Sequence, residues 1–175
     1  MATINYKQRL QETELFIFDV DGIFTNNIVY LLPDGEQMRT ANVRDGYAVQ
    51  LAVKKGINIA IISGGRNEAV RKRFEMLGVK EINLGSSEKY PIYKRVMQTF
   101  GVTADKVCYM GDDVPDHRIM KEVGLAACPA DAIPEIKEVS LYVSPYNGGE
   151  GCVRDVLEQA LKLKGLWMDA EGHIW

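Results

Sequence analysis

Cysteine is scarce in this chain, and histidine scarcer still. The three cysteines, Cys108, Cys128 and Cys152, are scattered, odd in number and never spaced as Cys-x-x-Cys. That excludes a disulfide framework and a cysteine zinc site, and it fits a reducing cytoplasm. The two histidines, His117 and His173, belong to no metal-like cluster and read as surface residues. No run of about 18 uncharged apolar residues occurs, so no membrane-spanning helix is expected. The polar stretch 1–11 lacks a hydrophobic signal region, which speaks against export. Basic charge is not in excess either. A net charge of −3 gives no general attraction to nucleic acid or anionic lipid. Repeats, low-complexity stretches and linkers are also missing. What remains is an ordinary globular balance over 175 residues, 46% apolar and 26% charged, enough for one complete core. The composition therefore predicts one cytoplasmic domain spanning 1–175.

Short apolar runs alternate with amphipathic segments, the pattern of an α/β protein with a parallel sheet. Residues 15–20 (LFIFDV) read as a first strand, apolar enough to be buried on both faces. Further strands are expected at 57–62, 81–84, 107–110, 125–128 and 141–144. Helical spacing falls between them at 46–55, 67–77, 90–100, 115–123 and 151–163, as Val70, Phe74 and Leu77 illustrate. One segment breaks the alternation. Residues 27–40 hold two strand-like runs around Pro33-Asp34-Gly35, which predicts a β-hairpin. A lone hairpin is marginal in water, so Ile28, Val29, Tyr30, Leu31 and Leu32 call for a packing partner, and a second subunit is favoured. Residues 165–175 read as a tail carrying Trp167 and Trp175. The fold class expected is a three-layer, doubly wound, mostly parallel α/β sheet with a hairpin insertion.

Carboxylates gather where strands end. Asp19 and Asp21 close the first predicted strand, and Asp112, Asp113 and Asp116 follow the strand at 107–110. In an open parallel sheet, sites form beyond the carboxyl ends of the strands, so the two loops can meet. Like charges about 4 Å apart repel by roughly 4 kcal/mol at an effective dielectric near 20. Such a cluster needs a cation, and oxygen ligands without His or Cys point to Mg²⁺. Two other strand ends supply what a phosphate needs. Ser63 offers a hydroxyl, Gly64 and Gly65 offer backbone N–H groups, and Lys89 opens a helix with a cation. These parts suit phosphoryl transfer, in which one carboxylate attacks phosphorus and another protonates the leaving oxygen.

The ordered set Phe18-Asp19-Val20-Asp21-Gly22-Ile23-Phe24-Thr25, Ser63, Lys89 and Gly111-Asp112-Asp113-x-x-Asp116 resembles the four motifs of haloacid dehalogenase-like phosphatases. The resemblance implies Asp19 as nucleophile and Asp21 as general acid/base. It implies Mg²⁺ held by Asp19, the Asp21 carbonyl and Asp112. Ser63, Gly64 and Lys89 would bind phosphate, with Asp113 and Asp116 supporting the metal shell and the lysine. Only 41 residues separate Asp21 from Ser63, and 25 separate Ser63 from Lys89, which leaves no room for a cap domain. The motifs at 42–47 (NVRDGY) and 148–154 (GGEGCVR) are similar to the capless 3-deoxy-D-manno-octulosonate (KDO) 8-phosphate phosphatases of lipopolysaccharide sugar synthesis, a likeness that runs from Leu15 to Leu163. That subgroup implies a sugar-acid phosphate as substrate, a homotetramer assembled through the hairpins, and a tail reaching a neighbour's site. Arg44 and Arg66 become candidates for the substrate carboxylate, which guanidinium matches bidentately.

The chain departs from the subgroup at one position. Gly65 stands where the octulosonate enzymes usually continue with arginine, and Arg66 follows. This keeps a nonulosonate 9-phosphate phosphatase open beside the eight-carbon reading. Two further classes stand against the enzyme. A phospho-accepting receiver domain would need its acceptor Asp at the end of a middle strand, yet INIAII ends in Ser63. A non-catalytic phosphosugar-binding protein would have no need to keep every motif residue. Each residue also has a local reading: Asp113 and Asp116 as the polar start of a helix, Ser63 as a helix cap, the arginines as solvated charges.

Overall fold

The computed structural model describes residues 5–168. Strand β1 (Leu15–Phe18) is buried at every position. Its side chains alternate as a strand requires: Phe16 and Phe18 enter one core, Leu15 and Ile17 the other. Two short strands, β2 (Tyr30–Leu31) and β3 (Gln37–Met38), form the hairpin. Strands β4 (Asn58–Ile62), β5 (Glu81–Asn83), β6 (Val107–Met110), β7 (Leu125–Cys128) and β8 (Tyr142–Val143) complete the main sheet. Its order is β5-β4-β1-β6-β7-β8, and every neighbouring pair is parallel. The chain builds outward from β1 through β4 to β5, then returns to β6 on the other side of β1. The crevice between β1 and β6 is therefore the topological switch point, where α/β sheets bind ligands.

Helices cover both faces. One layer holds α1 (Tyr6–Glu12), α2 (Val43–Lys54), α3 (Glu68–Met76) and α7 (Cys152–Leu163), packed on Phe16, Phe18, Ile59, Ile61, Cys108 and Met110. The other holds α4 (Lys89–Phe100), α5 (Val114–Met120) and α6 (Pro134–Val139), packed on Ile17, Ala60, Ile62 and Tyr109. Burying a side chain such as Phe16 or Ile61 contributes about 1.5–3 kcal/mol each, so the alternating strands account for most of the sheet's hold on its helices.

The predicted strands and longer helices appear within a few residues of their expected bounds. Helix α2 begins earlier than its apolar spacing suggests, because Asn42 caps it by accepting from Arg44 N (2.8 Å) and Asp45 N (3.4 Å). Helices α1 and α6 were not legible. Each buries a single residue, Leu10 or Ile136, and one buried position makes no period. The hairpin arm is present but thin. Its ladder pairs only Tyr30 with Met38 and Leu31 with Gln37, and the Pro33-Asp34-Gly35 turn closes through Gly35 N donating to Leu32 O. Ile28, Tyr30 and Leu31 stand in solvent, Leu31 at 76% exposure. Of the two tail tryptophans, Trp167 packs edge-on to Tyr47 with the Arg154 guanidinium over its ring, an anchor rather than a free surface. Trp175, like His173, lies outside the described residues.

Candidate active site

Asp19 and Asp112 extend from the carboxyl ends of β1 and β6, on either side of the switch crevice. Asp19 N donates to Met110 O (3.1 Å), which carries the strand pairing into the loop. Asp19, Asp112 and Asp116 bring carboxylate oxygens within 4.8 Å of one another, and all three are buried. Lys89, the first residue of α4, closes the group. Its Nζ lies 2.6 Å from Asp19 Oδ2 and 2.8 Å from Asp116 Oδ1, with its side chain only 6% exposed. Burial alone would lower the Lys89 pKa, but Asp19 and Asp116 more than offset this and hold the ammonium charged. Burial first, then the Asp116 charge, pushes the Asp19 carboxyl up to about 7, although Lys89 and the Val20 N–H pull against the rise. Asp112 is pushed up to about 6, again mainly by burial, while Asn27 lowers it. The cluster thus holds more negative charge than one lysine neutralises, which is what a divalent cation would relieve.

The two remaining motif acids divide. Asp116 is fully buried, and both its oxygens are engaged: Oδ1 by Lys89 and by the Tyr109 hydroxyl (2.6 Å), Oδ2 by Asp112 N (3.3 Å). It orients the lysine and the Asp112 loop. Asp113 is exposed and caps α5, its Oδ1 accepting from Val114 N (2.7 Å), outside the trio. Ser63 is buried after β4, and its Oγ accepts from Gly65 N at 3.2 Å. Its loop is zipped to the next one by Ser86 N to Ser63 O (3.0 Å) and Gly85 N to Gly65 O (2.8 Å), which fixes it beside the segment that delivers Lys89. Arg66 is exposed and lies over Gly85, where an added Cβ would come within 2.8 Å of Arg66 Cγ. Arg44 is not brought to the cleft. It lines a polar groove along α7 with Tyr146, Glu150, Arg154 and Glu158.

Four further residues, two of them inside the 42–47 motif, hold this geometry. Asn27 Nδ2 donates to Asp112 Oδ2 at 2.9 Å. Arg39, at the other foot of the arm, forks onto Asp21, with Nε to Oδ1 at 2.7 Å and Nη2 to Oδ2 at 3.0 Å. Asp45 Oδ1 accepts from Arg154 N at 2.7 Å, and so caps the first turn of α7, whose own cap position, Gly151, has no side chain to do it. Asn42 Nδ2 donates to Gly149 O (3.0 Å), while Gly149 N donates to Ile23 O (2.9 Å). The motifs at 42–47 and 148–154 thus form one clamp around the Asp19–Thr25 loop. Glycine is required where that loop is approached. A Cβ on Gly148 would sit 2.0 Å from Gly22 O, and one on Gly22, at φ 78°, would sit 2.0 Å from Asp112 Oδ2.

Residues 78–157 match the haloacid dehalogenase-like hydrolase family. The chain is 35% identical over 162 residues to the 3-deoxy-D-manno-octulosonate 8-phosphate phosphatase of Yersinia pestis, spanning 90% of this chain and 87% of that one. The counterpart from Escherichia coli K12 is 33% identical over 165 residues, spanning 94% and 88%. The crystal structure of the Yersinia pestis enzyme superposes with a TM-score of 0.89 at 34% identity, over 92% of this chain and 87% of that one. The Moraxella catarrhalis enzyme, solved in complex with magnesium ion, phosphate ion and KDO, gives 0.87 at 30% identity over 90% and 91%.

Proposed function

The chain belongs to the haloacid dehalogenase-like hydrolases, in the group of the KDO 8-phosphate phosphatases, and from that premise we propose how its own residues hydrolyse KDO 8-phosphate to KDO and phosphate. The observation that carries the reading is the bridge from Lys89 to Asp19 and Asp116 in the switch crevice, with Asp112 alongside. Asp19 Oδ2, held by Lys89, attacks phosphorus and forms an aspartyl phosphate. Asp21 gives its proton to the sugar oxygen as the P–O bond breaks. In the second half a water oxygen attacks the same phosphorus, Asp21 takes the water proton, and the Asp19–phosphorus bond breaks. Ser63 Oγ, the Gly64 N–H and Lys89 Nζ bind the phosphoryl oxygens as their charge rearranges.

The donor set is all oxygen and over-supplied with negative charge, which fits Mg²⁺. Asp19, the Asp21 carbonyl and Asp112 would hold the ion, with Asp116 and Asp113 behind them. When bound, it supplies positive charge that offsets the repulsion between phosphate and carboxylates. Arg66 is the better placed of the two arginines for the sugar carboxylate, since Arg44 opens onto the α7 groove. The exposed Ile28, Tyr30 and Leu31 support assembly through the arm into a homotetramer, and a cytoplasmic setting completes the reading.

Asp19→Asn tests the chemistry. It is expected to lose at least about a thousandfold in kcat on KDO 8-phosphate, because an amide cannot replace the nucleophile. Its circular dichroism should match wild type. A wild-type rate from the variant would sink the mechanism.

A further inference from the structure

Arg39, a half-buried residue, belongs to the arm, yet its side chain turns into the cleft. It forks onto both oxygens of Asp21, at 2.7 and 3.0 Å. The same guanidinium donates to the Gln37 carbonyl (3.3 Å) and to Gln37 Oε1 (3.2 Å), so its own strand fixes it as well. The Arg39 side chain is only 9% exposed, whereas that of Asp21 is 34% exposed. Asp21 is therefore gripped from behind and open in front. Gly65 leaves the room for this pair. A Cβ there would stand 3.3 Å from Arg39 Nη2 and 3.4 Å from Asp21 Oδ2, so a longer side chain at 65 would press on the fork.

We propose that Arg39 is a positioning residue for the reaction, holding the Asp21 carboxyl toward the oxygen that leaves phosphorus. The proposal rests on the assignment of Asp21 as acid and base. In the first half the P–O bond to the sugar breaks as its oxygen takes the Asp21 proton. In the second half a water oxygen bonds to phosphorus, the Asp19–phosphorus bond breaks, and the water proton goes to Asp21. Both halves need one carboxyl group aimed at one point. A single hydrogen bond leaves the carboxyl free to rotate, whereas a planar two-bond fork fixes its direction and its plane. Because Arg39 stands at the foot of the arm, the arm's seating sets the aim of the acid.

The test compares Arg39→Gln and Arg39→Lys on two substrates with Mg²⁺ present: KDO 8-phosphate, and 4-nitrophenyl phosphate, whose leaving group departs without needing a proton. Misplacing a catalytic group by about 1 Å can cost about 10²-fold. Arg39→Gln is expected to lower kcat on the sugar phosphate ten- to a hundredfold with little change in KM. The loss on 4-nitrophenyl phosphate should be several-fold smaller, and lysine should recover part of it. Equal losses on both substrates would mean a merely structural role and overturn the proposal. So would a rise in KM with kcat unchanged, or no effect at all. Should the glutamine variant fail to fold, the lysine variant permits the same comparison. Asp21→Asn separates the two claims. If it retains the wild-type rate on KDO 8-phosphate, the acid assignment itself fails. If it is inactive while Arg39→Gln matches wild type, only the role of Arg39 fails.

Discussion

Asp45 shows most clearly what single residues contribute here beyond the chemistry. It is fully buried, one oxygen caps α7, and the other has no hydrogen-bond partner. Burial first of all pushes its pKa up to about 6, against pulls from Arg154 and Gly151. A folded-state pKa raised above the usual carboxylate value gives stability that is fully present below about 3.8 and lost as pH rises through about 6. Wild type should therefore lose up to about 3 kcal/mol relative to Asp45→Asn between pH 4 and pH 7. Urea unfolding of both proteins at the two pH values checks this, and a pH-independent difference would refute it. The roles of Asp45, Asn27 and Arg39 were not legible in the sequence, for a physical reason. Their partners Arg154, Asp112 and Asp21 lie 109, 85 and 18 residues away, brought together only by the fold. That Asp19, Ser63 and Asp112 lie at strand ends, and Lys89 at the start of the helix after β5, was legible because strand ends and helix starts can be read locally.

Among the elements, the arm departs furthest from its local pattern. Five consecutive strand-forming residues, Ile28 to Leu32, suggested a longer ladder, yet only two residues on each side pair. At its feet Asn27 and Arg39 bond to Asp112 and Asp21 rather than to each other, and the ladder is confined to the middle of the arm. The exposed apolar middle is then left for a partner. Leu31→Asp should break the proposed homotetramer into smaller species in sedimentation velocity. The substitution is at 76% exposure, so the subunit's own stability should shift by less than about 0.5 kcal/mol. A wild-type protein sedimenting as a monomer, or a variant of unchanged mass, would contradict assembly through the arm. The parallel strands, by contrast, were visible as apolar runs because both their faces are buried. Helices α1 and α6 hid because one buried residue apiece leaves no pattern to find.

For the whole molecule, the strand order gathers its chemistry at one point. Four loops, after β1, β4, β5 and β6, converge at the switch crevice, and each brings one of the motifs that the sequence carries in order. The 42–47 and 148–154 motifs, whose meaning the sequence left open, lock the first of those loops from the far side of α2 and α7. Gly65 removes the side chain that the subgroup pattern places beside the cleft, so the choice of sugar acid is the point at which the account is most exposed to test. The direct measurement is phosphate release from KDO 8-phosphate and from a nonulosonate 9-phosphate, side by side, with Mg²⁺ and with a chelator. The account predicts Mg²⁺-dependent release with at least about a tenfold preference for the eight-carbon substrate, on the order of 1.4 kcal/mol in the transition state. A preference for the nine-carbon acid, or release undiminished by the chelator, would contradict it.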